Sequence, residues 1–542
     1  MTNRILRYKK DKSYVDLAFL VYSRIVRFMY HESDDCGSKV RRKAVMFLSN
    51  LREEREKRMR ESPDSTSFLH MACSRADLVL VSYLLSLPNT HSRIASVDRY
   101  GSTPLHEASQ AGCLKLVESL LFFSPGAVHA RKLNGATPLH MACLHGYVRI
   151  ASALIDHGAD VNQPMSNGAT SLYVACSQGH LKLVKKLLGA GADLNHANAN
   201  PAGFSPLEVS SMLGHWEVVT ELLHAGADPN EGTALHIASE LGHYDIVTAL
   251  LGTGADVNKE RDGYTPLHIA SKKGHREVVK ALVIFGSKVN QKADNGTTSL
   301  YVASENGHVE VVMELLRFGA DLTQQKINEF TALHIASQKS HLPIVTALLG
   351  AGADPNKEGP NGTTALYWAC YYGHLNVVLA LLGAGADVNK ARTTDGATPL
   401  WVASQKSYLE VVSALLDAGA DPNKVGPNGT SPLYWTALQG NLDAVMALLG
   451  AGADVNKART PYGTTPLFVA SQRGYLEVVS ALLGAGANAG ADADACTGAN
   501  AGAGADADAC TGAGAGADEY WYWCWWVPVG YGAGDGRYWY WY

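Results

Sequence analysis

Apolar residues return along this chain with a period of about 33 residues, and within each period they follow helical rather than alternating spacing. The stretch from Thr265 to Asn290, TPLHIASKKGHREVVKALVIFGSKVN, shows the design. Thr265 suits an N-cap, where its side chain accepts a backbone N–H, and Pro266 at the first helical position lacks the donor that would otherwise be orphaned there. Gly274 can take positive φ and stop that first short helix. In the segment that follows, Val278, Val279, Leu282 and Val283 form one apolar stripe. A lone helix pair cannot hide such a stripe from water, so neighbouring repeats must cover it. Gly-Ala-Asp-Val-Asn or a variant then ends the second helix, and a turn such as Asp294-Asn295-Gly296 makes a hairpin-like finger before the next Thr.

The Thr or Ser that opens each repeat stands at 67, 103, 137, 170, 205, 233, 265, 298, 331, 364, 398, 431 and 465, which gives thirteen repeats. One of them is short. From Ser205 to Thr233 is only 28 residues, so Asn230-Glu231-Gly232-Thr233 leaves no room for a finger of ordinary length, and the extra residues His196 to Ala202 precede it. A local change of curvature or a weak joint is expected there.

The combination of TPLHxA, Gly-His, paired Val and Leu, then GAD and Asn resembles the ankyrin repeat family, over residues 65–488, with Ser67 to Asp98 the weakest match. That resemblance implies an all-α solenoid of stacked helix pairs with β-hairpin-like fingers. It also implies a concave face built from first helices and fingers, and protein binding without catalysis. The sequence itself carries no phosphate-binding glycine loop, no His-Glu-x-x-His and no Gly-x-Ser-x-Gly elbow, so no catalytic residue and no cofactor is assigned.

Outside the array the composition changes. Residues 1–64 carry 16 Lys or Arg against 10 Asp or Glu, a net +6, which leaves −11 for the rest of a chain whose total is −5. Leu17, Leu20, Val21, Ile25 and Phe28 share one helical face, and Val40, Ala44, Phe47, Leu48 and Leu51 another. These helices are expected to cap the open end of the array. The alternative is a membrane-associated adaptor whose basic N-terminal helices bind anionic lipid. Residues 489–542 are Gly-Ala-Asp low complexity followed by a Trp- and Tyr-rich end, and are expected to be disordered. Trp523-Cys524-Trp525 is also what codons for Thr-Gly-Ala-Gly encode when read from the third base, so that end reads as a frame-shifted product of the preceding repeat.

Nine scattered cysteines, several at apolar repeat positions such as Cys73, Cys143, Cys176 and Cys370, argue against a disulfide framework and for a reducing compartment. The apolar run Leu17 to Tyr22 is far shorter than a membrane span needs. A cytoplasmic location, or a nuclear one, is expected. The twenty His residues mostly recur one repeat apart, and Tyr301, Trp401 or Phe468 takes the same place in other repeats. Phe468 cannot ligate a metal, so the spacing is structural and no metal site is assigned.

Candidate binding residues come from what the fold does not require. The resemblance implies contacts from finger tips and from the two residues before the Gly that ends the first helix. Among those pairs Tyr371 and Tyr372 are aromatic, with Lys339 and Lys406 one repeat away on either side, Lys272 and Lys273 further along, and Trp368 and Trp435 one helical turn earlier in their repeats. At the finger tips Lys259, Lys357, Lys390, Lys424 and Lys457 each follow the Asn directly, a row whose field would favour an acidic or phosphorylated protein partner. No nucleic-acid partner is expected.

Overall fold

In a computed structural model of the chain, residues 68–86, 93–195, 203–326, 329–460 and 463–488 are described. The basic N-terminal segment 1–64, the extra residues His196 to Ala202 and the tail 489–542 lie outside them. The chain divides into two compact units. One comprises Met1–Pro360 with Thr364–Ala369 and Leu379–Ala386, and the other Asn361–Thr363 with Cys370–Val378 and Asp387–Tyr542.

Within each unit the expected helix pairs are present. Pro266–Lys273 is followed by Arg276–Ile284 in the first unit, and Pro399–Gln405 by Leu409–Asp417 in the second. The first helices of successive repeats pack on one another, and so do the second helices. Most of the apolar stripe read from the sequence becomes the core, for Val278, Val279 and Leu282 are all at or near zero exposure, while Val283 is only half-buried. The fingers keep hairpin hydrogen bonds, such as Ala293 N–H to Thr297 O at 2.8 Å and Gly296 N–H to Ala293 O at 2.8 Å. Their arms are too short for a ladder. Among the described residues the only bridge of strand type is Arg261 with Tyr264.

The residue three after the opening Thr is the tie between repeats. In the first unit Thr103 N–H donates to His106 Nδ1 at 3.1 Å and Thr137 N–H to His140 Nδ1 at 3.2 Å, a capping box in which His does the work usual for Glu. With Nδ1 accepting, the ring proton sits on Nε2. That nitrogen donates to a carbonyl at the head of the next repeat: His70 to Ser102 O at 2.7 Å, His106 to Ala136 O at 3.0 Å, and His140 to Ala169 O at 3.2 Å. In the second unit Trp401 stands at this position, and its indole Nε1–H donates to Thr430 O at 3.0 Å. Both rings spend a donor on the same neighbouring backbone group, which explains how Trp can stand where other repeats have His; Phe468 at this position carries no such donor.

A second row ties the outer edge. In the first unit Asn258 N–H donates to Asp256 Oδ1 at 2.9 Å, closing the turn after the second helix. The Asn258 amide then reaches onward, Nδ2 donating to Gly286 O at 3.3 Å while Oδ1 accepts Lys288 N–H at 2.9 Å. Asn423 repeats the pattern in the second unit, with Gly452 O at 3.0 Å and Asp454 N–H at 2.7 Å. The Gly-Ala-Asp-x-Asn string is therefore a turn plus a clamp on the next repeat.

At the shortened repeat the tie changes sign. Its helix Pro206–Met212 carries Glu208 where others carry His, and the carboxylate accepts Ser205 N–H at 2.9 Å. With the finger deleted, Glu208 meets donors instead of a carbonyl, accepting Thr233 N–H at 2.7 Å and Thr233 Oγ1–H at 2.9 Å. Gly232 has φ of 70°, and a Cβ there would collide with the Glu208 carboxylate, so the close approach needs glycine.

Two predictions follow from these ties. Glu208→Ala leaves a Thr233 donor without its acceptor and should cost about 2 kcal/mol. Glu208→His, although it restores the residue common elsewhere, should do no better, because its Nε2–H would face another donor. Chemical denaturation, together with hydrogen exchange across 231–241, measures both, and a His variant as stable as the parent would refute the donor-matching argument.

The second concerns acid. Burial pushes the His106 and His140 imidazoles from 6.5 down to about 4, so the folded chain holds them neutral. Their contribution is complete above pH 6.5 and is lost as the pH falls from there through 4. Each withdraws about 1.4 kcal/mol per pH unit in that window. Trp401 and Phe468 do not titrate. Hydrogen exchange at pH 5 should therefore show 103–145 losing protection relative to pH 7 before 398–484 does, and parallel loss would contradict the assignment.

Candidate interaction surface

Tyr371 and Tyr372 close the helix Ala365–Tyr372, directly before Gly373 with φ of 75°. The Tyr408 ring of the next repeat occupies the space a Gly373 side chain would need, so the turn is held from below and the two tyrosines are presented outward. Their rings meet edge to face at 5.0 Å, and Tyr372 stacks on His374 at 5.9 Å. Lys406, the residue after Pro399–Gln405, places Nζ 4.7 Å from the centre of the Tyr371 ring. Tyr372 is 37% exposed while Tyr371 is half-buried. In the second compact unit, then, the structure brings Tyr371, Tyr372 and Lys406 together as one aromatic and cationic patch.

The two tryptophans serve packing. Trp435, in the same unit, is half-buried, lies edge-on to Trp401 at 5.7 Å and donates its indole N–H to Thr430 Oγ1 at 3.2 Å. Trp368, in the first unit, is packed against the core cluster of Tyr301, Phe330 and Ile335, with the Phe330 ring at 5.3 Å. Four residues after the opening Thr, a large ring fills the gap between first helices and fingers, which the linear pattern does not distinguish from outward display.

The remaining lysines are scattered in role. Lys272, Lys273 and Lys339 are exposed in the first unit, and Lys273 is ion-paired with Glu240 at 3.2 Å. At the finger tips Lys259 bends back to donate to Asn230 O and, at 3.1 Å, to Gly232 O, while Lys424 donates to Asn389 O at 3.2 Å. Those two ammonium groups are partly occupied by the preceding repeat. Lys357, Lys390 and Lys457 follow their Asn with backbone N–H bonded to the Asp of the same turn, at 3.3, 3.2 and 3.2 Å.

A second set of His residues follows the helix-ending glycines. A Cβ on Gly274 would lie 2.5 Å from the His308 ring, and His308 Nε2 meets Lys272 O at 2.9 Å. These rings nest in the glycine notch of the repeat before and bond its backbone. Buried thiols are equally quiet. Cys143, Cys176 and Cys370 share the repeat position of Ser271, and burial pushes each thiol well up from its ordinary range. Among the described residues no three His, Cys, Asp or Glu side chains gather as a metal site would need, and no helix is long and apolar enough to cross a membrane.

Comparison with known proteins agrees with this architecture. The family described as "Ankyrin repeats (3 copies)" matches residues 40–132, 121–198, 207–293, 277–359, 333–426 and 418–493. The chain is 44% identical over 70 residues to the mouse (Mus musculus) NF-kappa-B inhibitor alpha, which is 12% of this chain and 22% of that protein. It is 37% identical over 93 residues to the human (Homo sapiens) SMC5-SMC6 complex localization factor protein 1, 17% of this chain and 9% of that protein. With the Ankyrin repeat-containing protein ITN1 of Arabidopsis thaliana the figures are 30% over 115 residues, 18% and 20%. The matches thus span about a fifth or less of these relatives. A chain matched from residue 40 to 493, with the capping, glycine and asparagine geometry described above, belongs to the ankyrin repeat family, a protein-interaction module.

Proposed function

We propose that this chain is a non-catalytic scaffold or adaptor that binds partner proteins on the face formed by its first helices and fingers. The observation that carries the reading is the patch of Tyr371, Tyr372 and Lys406. An ankyrin interior does not need aromatics at the end of a first helix, and Tyr with a neighbouring cation is the composition that concentrates binding energy. Lys406 gives the patch a positive edge, which suits an acidic or phosphorylated segment of the partner. Lys357, Lys390 and Lys457 at the finger tips suit the same sign of charge. The matched relatives are consistent with such a role: one is named as an inhibitor of NF-kappa-B and another as a localization factor of a complex. Buried, unpaired thiols at Cys73, Cys143, Cys176 and Cys370 support a reducing compartment, the cytoplasm or the nucleus.

Affinity capture from the native cell tests this. Tyr371→Ala with Tyr372→Ala should lower recovery of the specific partner at least about tenfold, as a hot-spot pair worth about 2 kcal/mol requires. Lys406→Glu should do the same for an acidic partner. Circular dichroism of both variants must match the parent. Unchanged partners with either variant would remove the proposal.

A further inference from the structure

Two consecutive repeats of the first compact unit present a surface of a different kind. The residue just before the helix-ending Gly is Leu213 in one and Leu241 in the next, while the repeats on either side carry Gln178 and Lys273 there. Two residues past the Gly stand Trp216 and Tyr244, where those neighbours have Leu181 and Arg276. Leu213 and Trp216 are each 49% exposed, Leu241 45% and Tyr244 46%. Scattered apolar residues on a surface carry no message, but these four are held together by the packing beneath them.

The His243 ring fills the notch of Gly214, where a Cβ would lie 3.0 Å from it, so the Leu213–Gly214 turn rests directly on His243–Tyr244. His275 Nε2 bonds Glu240 O at 2.8 Å and fixes the Leu241 turn in the same way. Next to each exposed ring is an exposed carboxylate, Glu217 after Trp216 and Asp245 after Tyr244, in the first turns of Trp216–His224 and Tyr244–Gly252.

We propose that this patch docks an amphipathic helix whose apolar stripe is flanked by Lys and Arg. Helices packed side by side lie about 10 Å apart, so equivalent side chains of the two repeats recur at that step, which is the rise between positions i and i+7 of a bound helix. Leu213 and Leu241 accept the stripe, Trp216 and Tyr244 supply the area that anchors it, and Glu217 and Asp245 select a basic flank. The occupant has the opposite charge from the one that suits Tyr371 and Lys406. This site therefore adds a second partner chemistry to the proposed scaffold.

The test uses the whole protein and two fluorescein-labelled helical peptides of about five turns, with Leu at the same 3/4 spacing and either Lys or Glu on the flanks. Anisotropy should show the Lys peptide binding at least about tenfold more tightly than the Glu peptide. Leu213→Ser with Leu241→Ser should abolish most of that binding, and Tyr371→Ala with Tyr372→Ala should leave it intact. Glu217→Lys with Asp245→Lys, which touches no buried side chain, should invert the preference in favour of the Glu peptide. Equal affinity for the two peptides, or indifference to both pairs of variants, overturns the proposal. A dimer seen by sedimentation and dissolved by the two Leu→Ser changes would also overturn it, assigning the patch to a second copy of the chain.

Discussion

Each repeat depends on a side chain it sends across to its neighbour. Helices of seven to ten residues have little stability alone, and the apolar stripe they present is covered only when another pair lies beside it. Hydrophobic contact sets the adjacency but leaves the register loose. The register comes from polar ties: where His or Trp holds the fourth repeat position its ring bonds the next repeat's entry carbonyl, and the Asn amide clamps the next helix-ending turn. In a buried setting such a bond is worth most through the cost of leaving it unmade, so a repeat slipped by one residue would strand a donor and an acceptor at once.

What the tie requires is a donor at a fixed place, not a particular residue. His106 and Trp401 both satisfy it with a ring N–H. Glu208 shows the converse, for once the finger carbonyl is gone the neighbour offers Thr233 donors, and an acceptor replaces the donor. The deletion at 228–233 and the substitution at 208 are one change seen at two places. The choice of residue also sets the response to pH, since the imidazole is held neutral against its own basicity and the indole is not.

Much of this was legible in the sequence because the constraints are local. Thr at the cap, Pro after it, Gly at positive φ and the Val-Leu stripe all act within a few residues, so the periodicity located the helices and their ends. What stayed hidden depends on the neighbour 30 residues away. Trp435 and Tyr372 are both aromatics of first helices two repeats apart, yet only contact with Trp401 and Thr430 distinguishes packing from display. Lys259 and Lys457 each follow the finger Asn, but Lys259, like Lys424, reaches the Asn carbonyl of the preceding repeat, and beside the shortened finger it bonds Gly232 O as well. Leu213 and Leu241 stand in positions the resemblance marks as contact sites. Their significance emerges only when the His243 and Gly214 packing shows that they are adjacent.

The separation of interior from rim explains how one architecture can carry unlike surfaces. The ties occupy the fourth position, the finger Asn and the residue after the glycine, while the residue before the glycine varies in role: Gln439 donates to Gln405 O of the preceding repeat and Lys273 pairs with Glu240, whereas other repeats carry an apolar or aromatic side chain there. That position is Leu213 and Leu241 beside carboxylates in one unit, and in the other Tyr372, edge to face with the Tyr371 ring that Lys406 covers. The Leu213 and Leu241 side chains carry no polar atom that could enter such a tie, so each can change without disturbing the register that holds the repeats. The backbone hydrogen bonds specify where a side chain is displayed, and the residue there alone decides what it will recognise.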